Sequence, residues 1–434
     1  MNSNDYYSQC IPPTTTASTT TTSKTTTSTS TTSKATTSTT TSTTKVTSST
    51  TTSSTTTSSA AVQSGSGPNK TIAKVPVLGW NSWNGYGSNI NEALVLAVAN
   101  NFTTLGLKAA GYTYVNIDDT WSNITGRDPT TQRIKPDSNK FPNGIASIVT
   151  QIHNLGLKFG IYGDAGTTTC AGFPGSLYYE TIDAQTFSDW GVDLIKYDNC
   201  AVPANWSDTY VTDEYTSNTA QRYIRMGNAL NTVSHPIVYS LCDWGADAGH
   251  SWRLTGDASA SWSFVTSEIT TAASVSTYTN FYGHGDMDMM EIGNGGLSSS
   301  EERTHFAAWC FLKSPILLGT NLGNLTPAQI AVITNAELLA FSQDTTYGAA
   351  AKQYDTTSPP VFFSGTSTAG AHAFGINYVN STASLTFNFT AIPELASKTS
   401  WKVHDMWTKT DIGTYSGSYT ASVAGHDTAA LRFT

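Results

Sequence analysis

The feature that most constrains how this chain folds is a repeated alternation between residues 72 and 346. Short β-rich runs ending in polar or aromatic residues give way to helical stretches. Leu78–Trp83 leads into Asn91–Ala110, Tyr112–Asp119 into Gly144–Asn154, Leu157–Ala165 into Glu180–Trp190, and Val192–Asn199 into Thr219–Val233. Pro236–Trp244 and Ser251–Asp257 precede a helical run from Ser261. Phe281–Ile292 then leads into Glu301–Leu312, and Pro315–Asn321 into Pro327–Gln343. Eight such strand-then-helix units predict a closed α/β architecture, the (β/α)8 TIM barrel, because parallel strands joined by crossover helices close at that number. A doubly wound open sheet is the competitor, but no GxGxxG follows the first strand. From residue 347 to 434 the helical period disappears. Thr, Ser, Val, Phe and Tyr dominate, in alternating stretches such as Ser384–Phe389, and predict a small C-terminal antiparallel β-sandwich.

Ahead of the barrel lies a tract of another kind. Residues 14–60 contain 40 Ser or Thr in 47 positions. Nothing there can bury apolar surface, so ordering the backbone would never be repaid, and residues 13–71 read as a solvated, O-glycosylated linker. The preceding Asn4–Pro12 (N-D-Y-Y-S-Q-C-I-P) resembles the last strand of a fungal cellulose-binding module, with Tyr6, Tyr7, Gln9 and Cys10 matching. Its partner cysteine is missing, so residues 1–12 are expected to be a remnant of a longer precursor that also carried the signal peptide. Beyond residue 71 the chain carries 18 basic and 30 acidic side chains, a surface that repels phosphate backbones and argues against nucleic acid as a partner. No run approaches 18 apolar residues, so no membrane-spanning helix is expected.

Chemistry in such barrels sits at the carboxyl ends of the strands. Reading those ends gives Trp83; Asp118 and Asp119 before Trp121; Tyr162 and Asp164; Lys196 and Asp198; Asp243 and Trp244; Arg253 and Asp257; and Asp286 and Asp288. Acidic groups gathered in one cleft resist simultaneous ionisation, so they are costly to keep without a use. Carboxylates and aromatic platforms with few histidines describe a sugar site, where hydroxyls need acceptors and the apolar face of a pyranose packs on indole. Residues two apart on a strand project to one side, so Lys196 and Asp198 both face the mouth. The ammonium would keep Asp198 ionised, as a carboxylate nucleophile requires; a structural ion pair is the bland alternative. Arg253 and Asp257 form a second pair. There a carboxyl that holds and releases a proton would complete a two-carboxylate glycosidase, although R-x-x-x-D is common on any surface.

Seven strings in order, L-G-W-N-S-W-N (78–84), N-I-D-D-T-W (116–121), F-G-I-Y-G-D-A-G (159–166), I-K-Y-D-N-C (195–200), S-L-C-D-W-G (240–245), S-W-R-L-T-G-D (251–257) and G-D-M-D-M-M-E-I-G-N-G (285–295), resemble the family 27 glycoside hydrolases, the α-galactosidases of clan D, especially secreted fungal members. The resemblance covers residues 72–330. It implies a retaining mechanism needing no cofactor, with Asp198 as nucleophile and Asp257 as acid/base. It implies that Asp118 and Asp119 accept the galactose 6- and 4-hydroxyls, that Lys196 contacts the 3- and 4-hydroxyls, and that Asp243 and Arg253 lie near the 2-hydroxyl. Trp83, Tyr162 and Trp244 would wall the pocket, Asp288 would position the acid/base, and Asp286 would give structural support. It further implies a disulfide between Cys170 and Cys200. A second family bridge has lost both halves, where Ser88 or its neighbours and Thr120 stand. Cys242 is expected to be reduced and Cys310 to be a buried core thiol.

Asp243 favours a substrate with an unmodified 2-hydroxyl over N-acetylgalactosamine, and Asp118 favours a hexose over a β-L-arabinopyranoside. The natural galactoside, oligosaccharide or polysaccharide, stays open, as do oligomeric state and pH optimum. Two readings from other classes are a metal-dependent barrel using His284, Asp286 and Asp288, and a silent sugar-binding barrel. The histidines show no HxH or HExxH spacing, and His153, His235 and His305 read as ordinary helix or loop residues. A silent barrel would be expected to have lost Asp198 or Asp257. Seven N-x-S/T sequons, at Asn69, Asn101, Asn123, Asn205, Asn324, Asn380 and Asn388, join the linker and the expected disulfide in predicting a secreted protein.

Overall fold

The computed structural model describes residues 64–208, 216–243 and 248–434. The Ser/Thr tract, Asn4–Pro12 and Trp244 lie outside the described residues. Eight short parallel strands follow in order: β1 (Leu78–Asn81), β2 (Tyr114–Asn116), β3 (Lys158–Asp164), β4 (Leu194–Asp198), β5 (Val238–Leu241), β6 (Ser251–Arg253), β7 (His284–Asp286) and β8 (Ile316–Leu318). From β1 to β7 each pairs with its neighbours in sequence, and β8 pairs with β1. Closure between β7 and β8 comes just past β7. There the Met290 N–H donates to Leu317 O at 2.8 Å and the Gly319 N–H to Met290 O at 2.9 Å. The expected barrel is therefore present.

Around it stand α1 (Trp83–Tyr86), α2 (Glu92–Thr104), α3 (Ile145–Asn154), α4 (Glu180–Trp190), α5 (Asn218–Leu230), α6 (Trp262–Val275), α7 (Ser299–Phe311), α8 (Pro327–Ile333) and α9 (Ala336–Ser342). Between β5 and β6 no helix lies among the described residues, and the sequence reading placed none there. One difference from the sequence reading has a local cause. The single run expected over Pro327–Gln343 is two helices, because Asn335 turns its side chain to accept the Glu337 and Leu338 N–H groups and caps a new start. Capping boxes at Ser298/Glu301 and Thr326/Gln329 set the starts of α7 and α8.

Inside the barrel, Val77, Tyr114, Leu194, Val238, Met289 and Leu317 form an apolar floor. On β4, Leu194 belongs to that floor, and Lys196 and Asp198 rise from the same face toward the mouth. Strand alternation thus converts a packed base into a charged rim.

The C-terminal strands β9 (Lys352–Gln353), β10 (Phe362–Ser367), β11 (Gly370–Ile376), β12 (Ala383–Asn388), β13 (Ser400–Asp405), β14 (Thr410–Ser416), β15 (Ser418–Val423) and β16 (Thr428–Phe433) are antiparallel. They make a six-stranded sheet, β14-β13-β16-β11-β10-β9, and a two-stranded sheet of β12 and β15. Phe387, Phe389, Trp401, Val403, Leu431 and Phe433 share one core in this domain. On the barrel side, Phe311 of α7 packs on Phe363 and Phe374, and Arg303 pairs with Asp427 at 2.9 Å.

Candidate active site

The rim divides into two flanks. The first is built on β1 to β4. Asp118, just beyond β2, is buried, and its Oδ2 accepts hydrogen bonds from Asn81 Nδ2 at 2.8 Å and Lys196 Nζ at 2.9 Å. Asp119 is buried beside it, with Oδ2 accepting the Ala171 N–H at 2.9 Å. Burial pushes its carboxyl above the usual range, partly offset by N–H groups of Ala171 and Thr120.

Lys196 bonds Asp118 directly and acts on Asp198 through space, so the ion pair given as the bland alternative forms with Asp118 instead. In register, Lys196 lies beside Tyr162 of β3, while Asp198 lies beside Asp164 one step higher. The lysine is thus a layer below the carboxylate. Burial works against its charge, but Asp118 and then Asp198 outweigh that and raise its pKa, so it stays an ammonium. Asp198 is held from two directions: Oδ2 accepts the Tyr162 O–H at 2.7 Å and Oδ1 accepts the Asn199 N–H at 2.9 Å. Both oxygens are fixed, which suits the nucleophile role expected from the sequence.

Behind Asp198, Cys170 and Cys200 form a disulfide, while Cys242 and Cys310 are thiols. Asp164, a strand end to which the sequence reading assigned no role, anchors this loop. Its carboxyl accepts the Gly166 N–H at 2.6 Å and the Cys200 N–H at 3.1 Å, and burial followed by the field of Asp198 pushes it well up. Gly166 must be glycine here, since a Cβ would stand 1.7 Å from the Cys200 carbonyl oxygen.

The second flank is built on β6 and β7. Arg253 is buried, and Nη2 reaches Asp257 Oδ1 at 3.2 Å, Asp288 Oδ2 at 3.0 Å and the Gly256 carbonyl at 2.7 Å. Asp257 hangs outward with its side chain 76% exposed. Crowding in the cleft tends to raise its pKa, but Arg253 and Lys196 prevail and hold it below the usual carboxylate range. Asp288, buried with φ +65°, accepts the Ala258 N–H at 2.7 Å and donates its own N–H to Asp286 Oδ1 at 2.9 Å. The residue after Asp257 is thereby tied to β7. Asp286 is pushed up to about 6 by burial.

Glu268 was missed by the sequence reading. Its buried carboxyl accepts the Thr255 hydroxyl and so grips the loop carrying Asp257. It shares the buried stripe Val265, Glu268, Ile269 and Ala272 of α6, and an acid on an apolar helical face was the available signal. Asp243 is buried at the end of β5, and Trp83 is 37% exposed on the rim. The Cys242 thiol lies 3.6 Å from Arg253 Nη1, and burial and Asp198 push its pKa up.

Lys140 was also missed. Its Nζ donates to the carbonyls of Ser88 at 2.9 Å and Thr120 at 2.8 Å, bridging the two places where the second family disulfide is lost. An ammonium staple thus joins the two segments. Away from the mouth, His153 and His235 both reach Asp193, and His305 is buried with Nε2 accepting the Glu291 N–H. Among the described residues, one group could gather metal-ligand atoms, Asp164, Cys170, Asp198 and Cys200, and both its sulfurs are in the disulfide.

Residues 76–344 match the model of the family described as alpha galactosidase A, and residues 358–433 that of the alpha galactosidase C-terminal beta sandwich domain. The chain is 41% identical over 405 residues to a probable alpha-galactosidase B of Penicillium simplicissimum, covering 83% of this chain and 93% of that protein. Its fold is similar to crystalline alpha-galactosidase I from Mortierella vinacea, with TM-score 0.77, 35% identity, and coverage of 84% of this chain and 98% of that one. It is also similar to alpha-galactosidase from Saccharomyces cerevisiae with raffinose, with TM-score 0.76, 27% identity, and coverage of 84% and 98%.

Proposed function

The chain belongs to the alpha-galactosidase A family, and from that premise we propose that it is a secreted exo-α-galactosidase that removes terminal α-D-galactosyl residues by double displacement. The observation that carries this reading is the pair of carboxyls in unlike settings. Asp198 is fixed by the Tyr162 O–H and the Asn199 N–H, while Asp257 stands open to solvent beside Arg253. In the first step Asp198 attacks the anomeric carbon, and the leaving oxygen takes a proton from Asp257. Bound galactoside strips water from Asp257, which raises its pKa and lets it hold that proton against Arg253. In the second step Asp257, now ionised, takes a proton from water, whose oxygen attacks the same carbon and releases Asp198.

Asp118 and Asp119 accept the 6- and 4-hydroxyls, Lys196 donates to the 3- and 4-hydroxyls, Asp243 and Arg253 meet the 2-hydroxyl, and Trp83 and Tyr162 wall the ring. The Asn81 and Lys196 donors share Oδ2 of Asp118, and Oδ1 accepts the Asp119 N–H at 2.9 Å, which leaves Oδ1 a second lone pair for substrate. Secretion, the Ser/Thr linker and the likeness of Asn4–Pro12 to a cellulose-binding strand belong to the same proposal. All seven sequon asparagines are at least partly exposed, as glycan attachment requires. Hydrolysis of an aryl α-galactoside followed by proton NMR tests the reading: α-galactose appears first and mutarotates later. First release of β-galactose would contradict it.

A further inference from the structure

We infer that Lys140 is a positioning residue for galactose binding: acting through Thr120, it holds the carboxyl of Asp119 where the sugar's 4- and 6-hydroxyls meet it. The inference rests on the function proposed above and deepens it.

The first sign is strain. Thr120 is buried with φ +71°, a left-handed conformation that a β-branched residue avoids. Such a residue persists only where its surroundings hold it. Here its N–H turns back onto Asp119 Oδ1 at 2.6 Å, while its carbonyl and hydroxyl oxygens both face Lys140 Nζ, at 2.8 and 3.0 Å. The remaining contact of that ammonium is the Ser88 carbonyl at 2.9 Å. Three acceptors take up its three protons, so Lys140 has no donor left for a sugar and acts on one only through Thr120.

What this arrangement holds is one side of Asp119. The Thr120 N–H fixes Oδ1 from the segment after β2, whereas the other donors, the Ala171 N–H on Oδ2 at 2.9 Å and Thr169, come from the loop after β3. If Thr120 relaxed to an ordinary φ, its N–H would leave Oδ1, and the carboxyl would be held from one loop alone. Lys140 is itself well seated. Its N–H donates to the Asp137 carbonyl at 3.1 Å and its carbonyl accepts the Glu92 N–H at 2.9 Å, at the start of α2. Burial lowers the pKa of its ammonium, and Asp137 and then Asp119 act against that, so the cation also senses the carboxyl it positions.

The test measures KM and kcat on an aryl α-galactoside, and galactose binding by calorimetry. In Lys140→Met, KM and the galactose dissociation constant should each rise about fivefold, as expected for one lost hydrogen bond to a carboxylate, with kcat unchanged within about twofold. Adding Thr120→Gly should bring both back to within about twofold of the unaltered chain, because glycine takes a positive φ unaided. In an Asp119→Asn background, Lys140→Met should change kcat/KM by less than about twofold. If Lys140→Met does not fold, Lys140→Gln, which keeps two donors, should raise KM about threefold. A lower unfolding midpoint with KM and galactose affinity unchanged would overturn the inference and leave a staple of the fold only. An undiminished effect on top of Asp119→Asn would overturn it as well. No galactose binding and no turnover by the unaltered chain would remove the underlying function and this inference with it.

Discussion

The two flanks of the barrel mouth solve opposite problems with similar residues. On the β3–β4 flank the carboxylate is immobilised: Asp198 is pinned by Tyr162 and Asn199, and the loop behind it is tied by a disulfide and by Asp164. On the β6–β7 flank the carboxyl is left open, and order is placed beneath it, in Arg253, Asp288 and Glu268. A nucleophile gains from a fixed orientation, whereas a group that alternately gives and takes a proton gains from access to solvent and substrate. On the proposed function, the difference between the flanks is a division of labour.

That division breaks most visibly at the two carboxyls. Asp198→Ala should lower kcat by about 10³-fold or more on every galactoside. Asp257→Ala should cost about 10²–10⁴-fold on galactosides with sugar leaving groups, but far less on aryl galactosides whose leaving group needs no proton. Equal losses on both substrate types would erase the distinction. Because Arg253 and Lys196 hold Asp257 low, its proton is lost early as pH rises, so kcat/KM should decline from the acid range toward neutrality.

The ordered layer under the second flank has its own signature. Asp286 is raised from 3.8 to about 6, so it binds its proton more tightly folded than unfolded. Its contribution is fully present below about pH 4 and is lost as pH rises through about 6, a decline on the order of 2–3 kcal/mol. Asp286→Asn should flatten that decline in urea midpoints measured from pH 4 to 7; an unchanged slope would show that Asp286 is not its source.

On the first flank, Tyr162→Phe removes a hydrogen bond to a charged oxygen. It should lower kcat about tenfold with KM nearly constant. The smallest effect is expected at Lys140. Lys140→Met should destabilise the chain by about 1 kcal/mol in thermal unfolding, and a Ser88→Cys/Thr120→Cys pair should more than recover it if the segments sit as described.

Much of this was legible in the sequence because strand geometry is local. Period-two projection carried Leu194, Lys196 and Asp198 up one wall, and the polar endings of buried strands marked the mouth. The strand-to-helix rhythm failed where a single side chain decided the outcome, as when Asn335 divided the last helix. Contacts between distant segments were not legible. Lys140 reaches Ser88 across 52 positions and Lys196 prefers Asp118 across 78, choices set by the closed barrel rather than by neighbours in the chain.

The most direct test of the account is to catch the chain between its two steps. In Asp257→Ala, an aryl α-galactoside with a good leaving group should still react with Asp198, while release by water slows, so a galactosyl-enzyme should accumulate. Peptide mass spectrometry after acid quenching should place one hexosyl residue on Asp198. A hexosyl residue on a different side chain, or none while turnover continues, would contradict the account.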